Sequence, residues 1–234
     1  MNYIIWNSID SRDLQGLMIC ELPPISRPKM RTQITEIEGK DGDISDNIGY
    51  SAYDKTIKIA LTKDFDINKI INYFTGSEKI IFSNEPDKFY NAEILEQIDF
   101  DRLVRFRTAN VKFHTQPFKY LVVEEPVELE ITEETEFSVT NQGLGNSRPI
   151  ITFFGEGIIE IAINGLAQFQ IMIGENEEEI TVDSMIQEAY MFTPNNLRNR
   201  SMVGEFPTLQ PCENIITWSG NLTRIEVHPK SRWL

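Results

Sequence analysis

The residues able to do chemistry are few, and their spacing does not suit it. Histidine occurs twice, at His114 and His228, so a Ser/His/Asp site or an imidazole metal cage would rest on a single ring. His114 ends a strand-like run beside Pro117 and His228 precedes Pro229, and both read as surface or interface histidines. Asp41-Gly42-Asp43-Ile44-Ser45-Asp46-Asn47 comes nearest to a calcium loop. Counted from Asp41, that loop needs glycine where Asp46 stands and a bidentate glutamate where Ala52 stands, so the pattern fails. Gly143-Leu144-Gly145 follows an acidic stretch instead of a strand entering a helix, and no phosphate loop or dinucleotide fingerprint occurs. Cys20 and Cys212 have no partner spacing and read as free thiols. Trp218 and Tyr190 could stack on sugar rings if exposed, although tryptophan in a β-sandwich is more often core. The expectation is a protein that is not an enzyme, with no catalytic residue, no metal site and no cofactor.

Composition bounds the alternatives. The chain has 234 residues, 41% of them hydrophobic and 25% charged, enough for one large or two modest globular domains. Its formal net charge of −14 argues against a nucleic-acid grip, which needs clustered Lys and Arg against phosphates. An acidic surface suits DNA only where DNA must slide past without sticking. No apolar run approaches the roughly 18 residues that cross a bilayer, so no membrane is expected. The opening Met1-Asn2-Tyr3-Ile4-Ile5-Trp6 lacks the pattern of a signal peptide, and the protein is expected to be made in the cytosol and to join something larger.

The elements that must position these residues are mostly strands. Tyr3–Asn7 and Leu17–Glu21 look like short strands; Pro23, Pro24 and Pro28 then favour an extended crossing segment. Arg31–Ile37 alternates with a loose register, Gly39–Asp43 is a turn cluster, and Ile57–Leu61 alternates with period two. One helix follows. Ile67, Ile70, Ile71 and Phe74 form an apolar stripe, Asp64 or Asp66 caps it, and Gly76 suits its end. Phe89–Ile98 and Leu103–His114 are expected as a hairpin around Asp99-Phe100-Asp101. Seven glutamates between Glu124 and Glu136 mark a domain boundary. Beyond it Pro149–Phe154, Ile159–Ile163, Phe169–Ile173 and Ile180–Asp183 read as short strands of a β-sandwich, with Asn164-Gly165 as a hairpin turn and Ser219-Gly220 as a corner between two closing strands.

Several segments, in order, resemble the distal tail proteins of long-tailed bacteriophages. They are the aromatic first strand Tyr3–Trp6, the crossing Pro23–Pro28, the turn Gly39-Lys40-Asp41-Gly42, the Tyr50–Leu61 strand and the helix Ile67–Phe74. Asp87-Lys88-Phe89-Tyr90-Asn91-Ala92 and Phe113-His114-Thr115-Gln116-Pro117-Phe118 continue the series, with Thr115 where the family often has Cys. Asn141-x-Gly143, Arg148-Pro149-Ile150-Ile151 and Gly155-x-Gly157 follow. The ending Pro211-Cys212-Glu213-Asn214 stands where the family usually has Pro-Gly-Glu-Asn.

The resemblance implies a mainly β fold. An N-terminal split β-barrel with one α-helix, related to tail-tube proteins, would occupy residues 1–124 and form a ring; a galectin-like β-sandwich would occupy residues 125–234. Six copies would close into a homo-hexamer at the virion tail tip after assembly in the host cytoplasm. The ring would join the major tail tube protein on one side to the tail tip protein on the other. DNA would pass through its channel without specific binding. The second domain would project outward and, in some relatives, carries receptor-binding or baseplate proteins; the chain is short for the family, with no inserted carbohydrate module. The ring contacts are expected in the Gly39–Tyr53 loop, at Lys40, Asp41, Asp43 and Tyr50, and at Arg102, Arg105 and Arg107. The competing reading is a carbohydrate-binding β-sandwich adhesion protein using Trp218 and Tyr190.

Overall fold

The computed structural model describes every residue except Lys40 and Asn176, and every remaining side chain except those of Asp101, Ala167 and Gln168. The chain divides into two compact units, Met1–Val122 with Leu234, and Val123–Trp233. Both are built mainly of antiparallel strands.

The first unit contains β1 (Ile4–Trp6), β2 (Ile9–Asp10), β3 (Leu17–Glu21), β4 (Met30–Glu36), β5 (Asp43–Tyr50), β6 (Tyr53–Leu61), β7 (Ser77–Phe82), β8 (Lys88–Glu93) and β9 (Thr108–Leu121). Helix α1 (Ile67–Tyr73) lies between β6 and β7, and α2 (Phe100–Phe106) between β8 and β9. Its main sheet runs in the order β2-β1-β7-β8-β9-β6-β3. On β6 the expected alternation holds: Lys55, Ile57 and Ile59 point inward while Asp54, Thr56 and Lys58 point out. Phe113 on β9 centres the core, with the rings of Trp6, Phe82 and Phe74 at 5.1, 6.3 and 6.4 Å. Each such aromatic withdraws enough apolar surface to contribute about 2–3 kcal/mol.

Helix α1 forms as its pattern predicts. The Asp66 carboxylate accepts from Asn68 N and Lys69 N, satisfying two donors that the first turn leaves free. Ile70, Tyr73 and Phe74 are buried, and the Tyr73 hydroxyl donates to the carbonyls of Ile4 and Ile9. Gly76 has positive φ just past the helix.

Strands β8 and β9 pair antiparallel as expected, but the tight turn expected around Asp99–Asp101 is replaced by α2. The Asp99 carboxylate instead accepts from Arg102 N at 2.8 Å and caps α2, Leu103 is fully buried, and Arg107 ends the helix with left-handed backbone at φ 61°. A capped turn anchored by Leu103 satisfies donors that a tight hairpin would leave open. Arg102 and Arg105 therefore lie on a helix, not on a strand.

Strands β4 and β5 pair only with each other, as a hairpin separate from the main sheet. All of β4 and most of β5 are exposed. The irregular register expected near Arg31 is a bulge between Arg31 and Thr32. The extended crossing over Pro23–Pro28 is fastened by side chains: Asn84 Nδ2 donates to Pro23 O, Lys55 Nζ to Pro24 O and Tyr53 Oη to Ser26 O.

The second unit contains β10 (Val127–Glu130), β11 (Glu136–Asn141), β12 (Ile150–Ile163), β13 (Leu166–Ile173), β14 (Glu179–Asp183), β15 (Glu188–Tyr190), β16 (Met202–Gly204) and β17 (Cys212–His228). Two long strands organise it. The first half of β12 pairs with β14 and with the end of β17, which also pairs with β10; the second half pairs with β13 and with the start of β17, which also pairs with β11. The side chains of both halves meet in one core, where the rings of Phe153 and Phe169 lie 5.8 Å apart, edge to face. The sheet is therefore folded over on itself. Asn164 and Gly165, at φ 52° and 77°, make the expected two-residue turn between β12 and β13. Gly155–Gly157 and Ser219-Gly220 do not end strands; both are register breaks inside continuous β12 and β17.

Candidate assembly surfaces

Two surfaces of the first unit combine charge with exposed apolar side chains. The first is the β4–β5 hairpin. Between residues 36 and 46 it carries Glu36, Glu38, Asp41, Asp43 and Asp46 against the single basic residue Lys40. Ile34, Ile37, Ile44 and Ile48 are all open to solvent on it, Ile34 by 59%. A two-stranded hairpin is marginal in water by itself, and its outer edges present unpaired backbone donors and acceptors. Its root is fixed: Ser51 N donates to Lys29 O at 2.9 Å, and the Tyr50 ring lies 5.8 Å from Phe118. Asp41 and Asp43 sit at the exposed end; Tyr50 is half-buried at the root with the Arg27 guanidinium beside its ring. Lys40 lies outside the described residues.

The second surface is α2. Arg102, Arg105 and Arg107 are exposed there with Val104 and Phe106, the latter 60% open. Among the described residues no carboxylate lies within ion-pair distance of any of the three guanidinium groups. Arg107 donates to Thr62 O and lies over the Phe65 ring, and Arg105 lies near Phe106. Arg102 borders a polar cleft of about 390 Å³ that Lys58, Gln97, Asp99, Thr108 and Asn110 also line.

His114 Nδ1 lies 2.8 Å from Asp54 Oδ1, and this bond, with Lys112 nearby, holds the Asp54 carboxyl below its usual range. No described serine, threonine or cysteine side chain bonds to His114, so the pair has no nucleophile to activate. Among the described residues no group of three His, Cys, Asp or Glu is placed to hold a metal ion. Among the described residues no helix is long and apolar enough to cross a membrane. Cys20 and Cys212 are free thiols. Cys20 is half-buried and Cys212 exposed. Tyr190 is buried, and this removes its ring as a sugar platform. Trp218 is half-buried against the core of the second unit, pairing with inward-facing Ile161, while Glu160 and Ser219 project to the other face of the sheet.

No protein-family model matches the sequence, and no curated protein matches it. The three-dimensional comparison decides the fold. The chain superposes on the SPP1 Dit (gp 19.1) protein, described as a paradigm of hub adsorption apparatus in phages infecting Gram-positive hosts, with a TM-score of 0.73 and 16% identity over 100% of both chains. This is the distal tail protein fold. Chains of the phage p2 baseplate in its activated conformation, with strontium and with calcium, align at TM-scores of 0.47 and 0.46, with 7% and 6% identity over 97% of both chains. The distal tail protein fold accounts for the strands that dominate both units.

Sequence reasoning singled out the three arginines and the acidic loop by residue type but missed that Arg102 and Arg105 lie on one helix, which Arg107 ends. The available signal was Asp99 as a cap, followed by Phe100 and Leu103 at helical spacing. It also missed that the hairpin stands off the main sheet. The polar character of β4 and β5 on both faces carried that information.

Proposed function

We propose that this chain is a structural hub protein of a bacteriophage tail, with no enzymatic activity. Six copies close through the first unit into a ring at the tail tip. The ring joins the tail tube protein on one side and tip proteins on the other, and DNA leaves through its channel. The second unit is the outward-facing module on which baseplate or receptor-binding proteins dock. The observation that carries this reading is the end-to-end agreement with SPP1 Dit, which covers 100% of both chains and spans both units. The net charge of −14 supports it, since a polyanion meets no strongly basic wall to hold it.

The test is direct. Purified full-length protein, viewed by negative-stain microscopy and weighed by analytical ultracentrifugation, is expected to give six-fold rings with a central hole. A particle with the mass of one chain at every concentration overturns the reading.

A further inference from the structure

We infer that α2 of one copy receives the acidic β4–β5 hairpin of the next copy; this rests on the ring reading above. Three observations carry it. The guanidinium groups of Arg102, Arg105 and Arg107 have no carboxylate partner among the described residues, although acidic residues outnumber basic ones 36 to 22 in the chain. The hairpin end concentrates five carboxylates, none of which has a described ion pair within the chain. Both surfaces also expose apolar side chains next to the charge, Val104 and Phe106 on α2 and Ile34, Ile37, Ile44 and Ile48 on the hairpin.

Charge and apolar surface therefore match in sign and kind, on two different patches of the same unit. A contact between unlike patches is head-to-tail, and head-to-tail contacts close into rings when the rotation per copy allows. The pairing also addresses the chief cost of assembling copies that each carry −14, because it places opposite charges at the point of closest approach. The polar cleft beside Arg102 gives the hairpin end a concave seat, with Thr108, Asn110 and Gln97 as further hydrogen-bonding groups. Within it Lys58 is already paired with Glu21, and Asp99 with the α2 backbone, which leaves Arg102 as the free charge.

The experiment is a charge swap in the full chain, read by sedimentation and microscopy, with circular dichroism and urea melts to establish that each variant is folded. Arg102→Glu with Arg105→Glu is expected to raise the concentration for half-maximal ring formation by about tenfold or more. Glu36→Lys with Glu38→Lys is expected to do the same. A mixture of the two variant proteins is expected to recover rings, because the two kinds of copy in alternation meet through opposite charges at every interface of a six-membered ring. A single chain carrying all four changes restores the matched signs at every interface and is expected to recover assembly. Wild-type rings unaffected by either pair, or no recovery in the four-fold variant while it remains folded, overturn the pairing and leave the ring reading intact. Absence of rings in the wild type overturns both. If the arginine variant forms rings normally but loses retention of DNA in a gel shift, the surface serves the polyanion and the pairing is wrong.

Discussion

Gly155 and Gly220 press on each other's strands at one bend of the second unit. A β-carbon on Gly155 would lie 2.2 Å from the Asn221 carbonyl oxygen, and one on Gly220 would lie 2.4 Å from the Ile158 carbonyl oxygen. Both glycines sit where the β12–β17 register breaks, so the two strands bend together only because neither has a side chain there. Gly155→Ala and Gly220→Ala are each expected to destabilise the second unit by about 3 kcal/mol or more, with Gly220 further penalised for its positive φ. Urea unfolding monitored by Trp218 fluorescence checks this; a midpoint unchanged in both variants would show that the bend tolerates a side chain.

Cys212 occupies left-handed backbone at φ 75°. Cys212→Gly is expected to stabilise the second unit by about 1 kcal/mol, and Cys212→Val to destabilise it by more. Paired urea melts under reducing conditions decide the sign.

Asn214 is fully buried and ties the segment before β17 together. Its Oδ1 accepts from Gln210 N at 2.8 Å and Asn164 Nδ2 at 3.1 Å, and its Nδ2 donates to the carbonyls of Gln210 and Cys212. Removing the amide leaves several buried partners unsatisfied, so Asn214→Ala is expected to cost about 2–4 kcal/mol. Asn214→Asp keeps the acceptor and loses the donors, and should fall between alanine and wild type at acidic pH. An alanine variant as stable as wild type would refute the role.

Lys55 gives the first unit a distinctive pH profile. It is buried, with Nζ 4.7 Å from the Tyr90 ring centroid and 5.1 Å from that of Tyr53; Glu85 and Lys119 are the charged groups facing it. Burial lowers its pKa from 10.5 to about 8, with Lys119 adding to the effect and Glu85 opposing it. Between those values the unfolded chain binds more protons than the native one, so stability should rise with pH from about 8 towards 10. Burial raises the Tyr73 and Tyr90 hydroxyls above their ordinary 10, and above that pH the sign reverses and stability falls. Lys55→Met should abolish the alkaline rise. Urea midpoints across this range test it, and a rise that persists in the methionine variant rules Lys55 out as its source.

Much of this architecture was legible in the residues. Ile57–Leu61, Asn164-Gly165 and the α1 stripe all declare themselves locally, because period, turn chemistry and capping agree at each. Residues 103–107 misled because Leu103, Arg105 and Arg107 alternate like a strand, while the deciding interactions are the Asp99 cap and the burial of Leu103, which depends on distant partners. Gly155 and Gly220 read as strand ends for a related reason: a bulge and a terminus both favour glycine, and only the partner strand distinguishes them. The two charged surfaces were visible by residue type, since Asp41, Asp43 and the arginines stand out. Their exposure was not, because period-two patterning assigns faces without saying whether either face is covered.

Strands β12 and β17 each belong to both layers of the second unit. Tension applied to one layer is thus handed to the other along covalent backbone, not through side chains that can slip. Prising the layers apart means tearing the hydrogen bonds of two continuous strands, which makes the module stiff up to a threshold and abrupt beyond it.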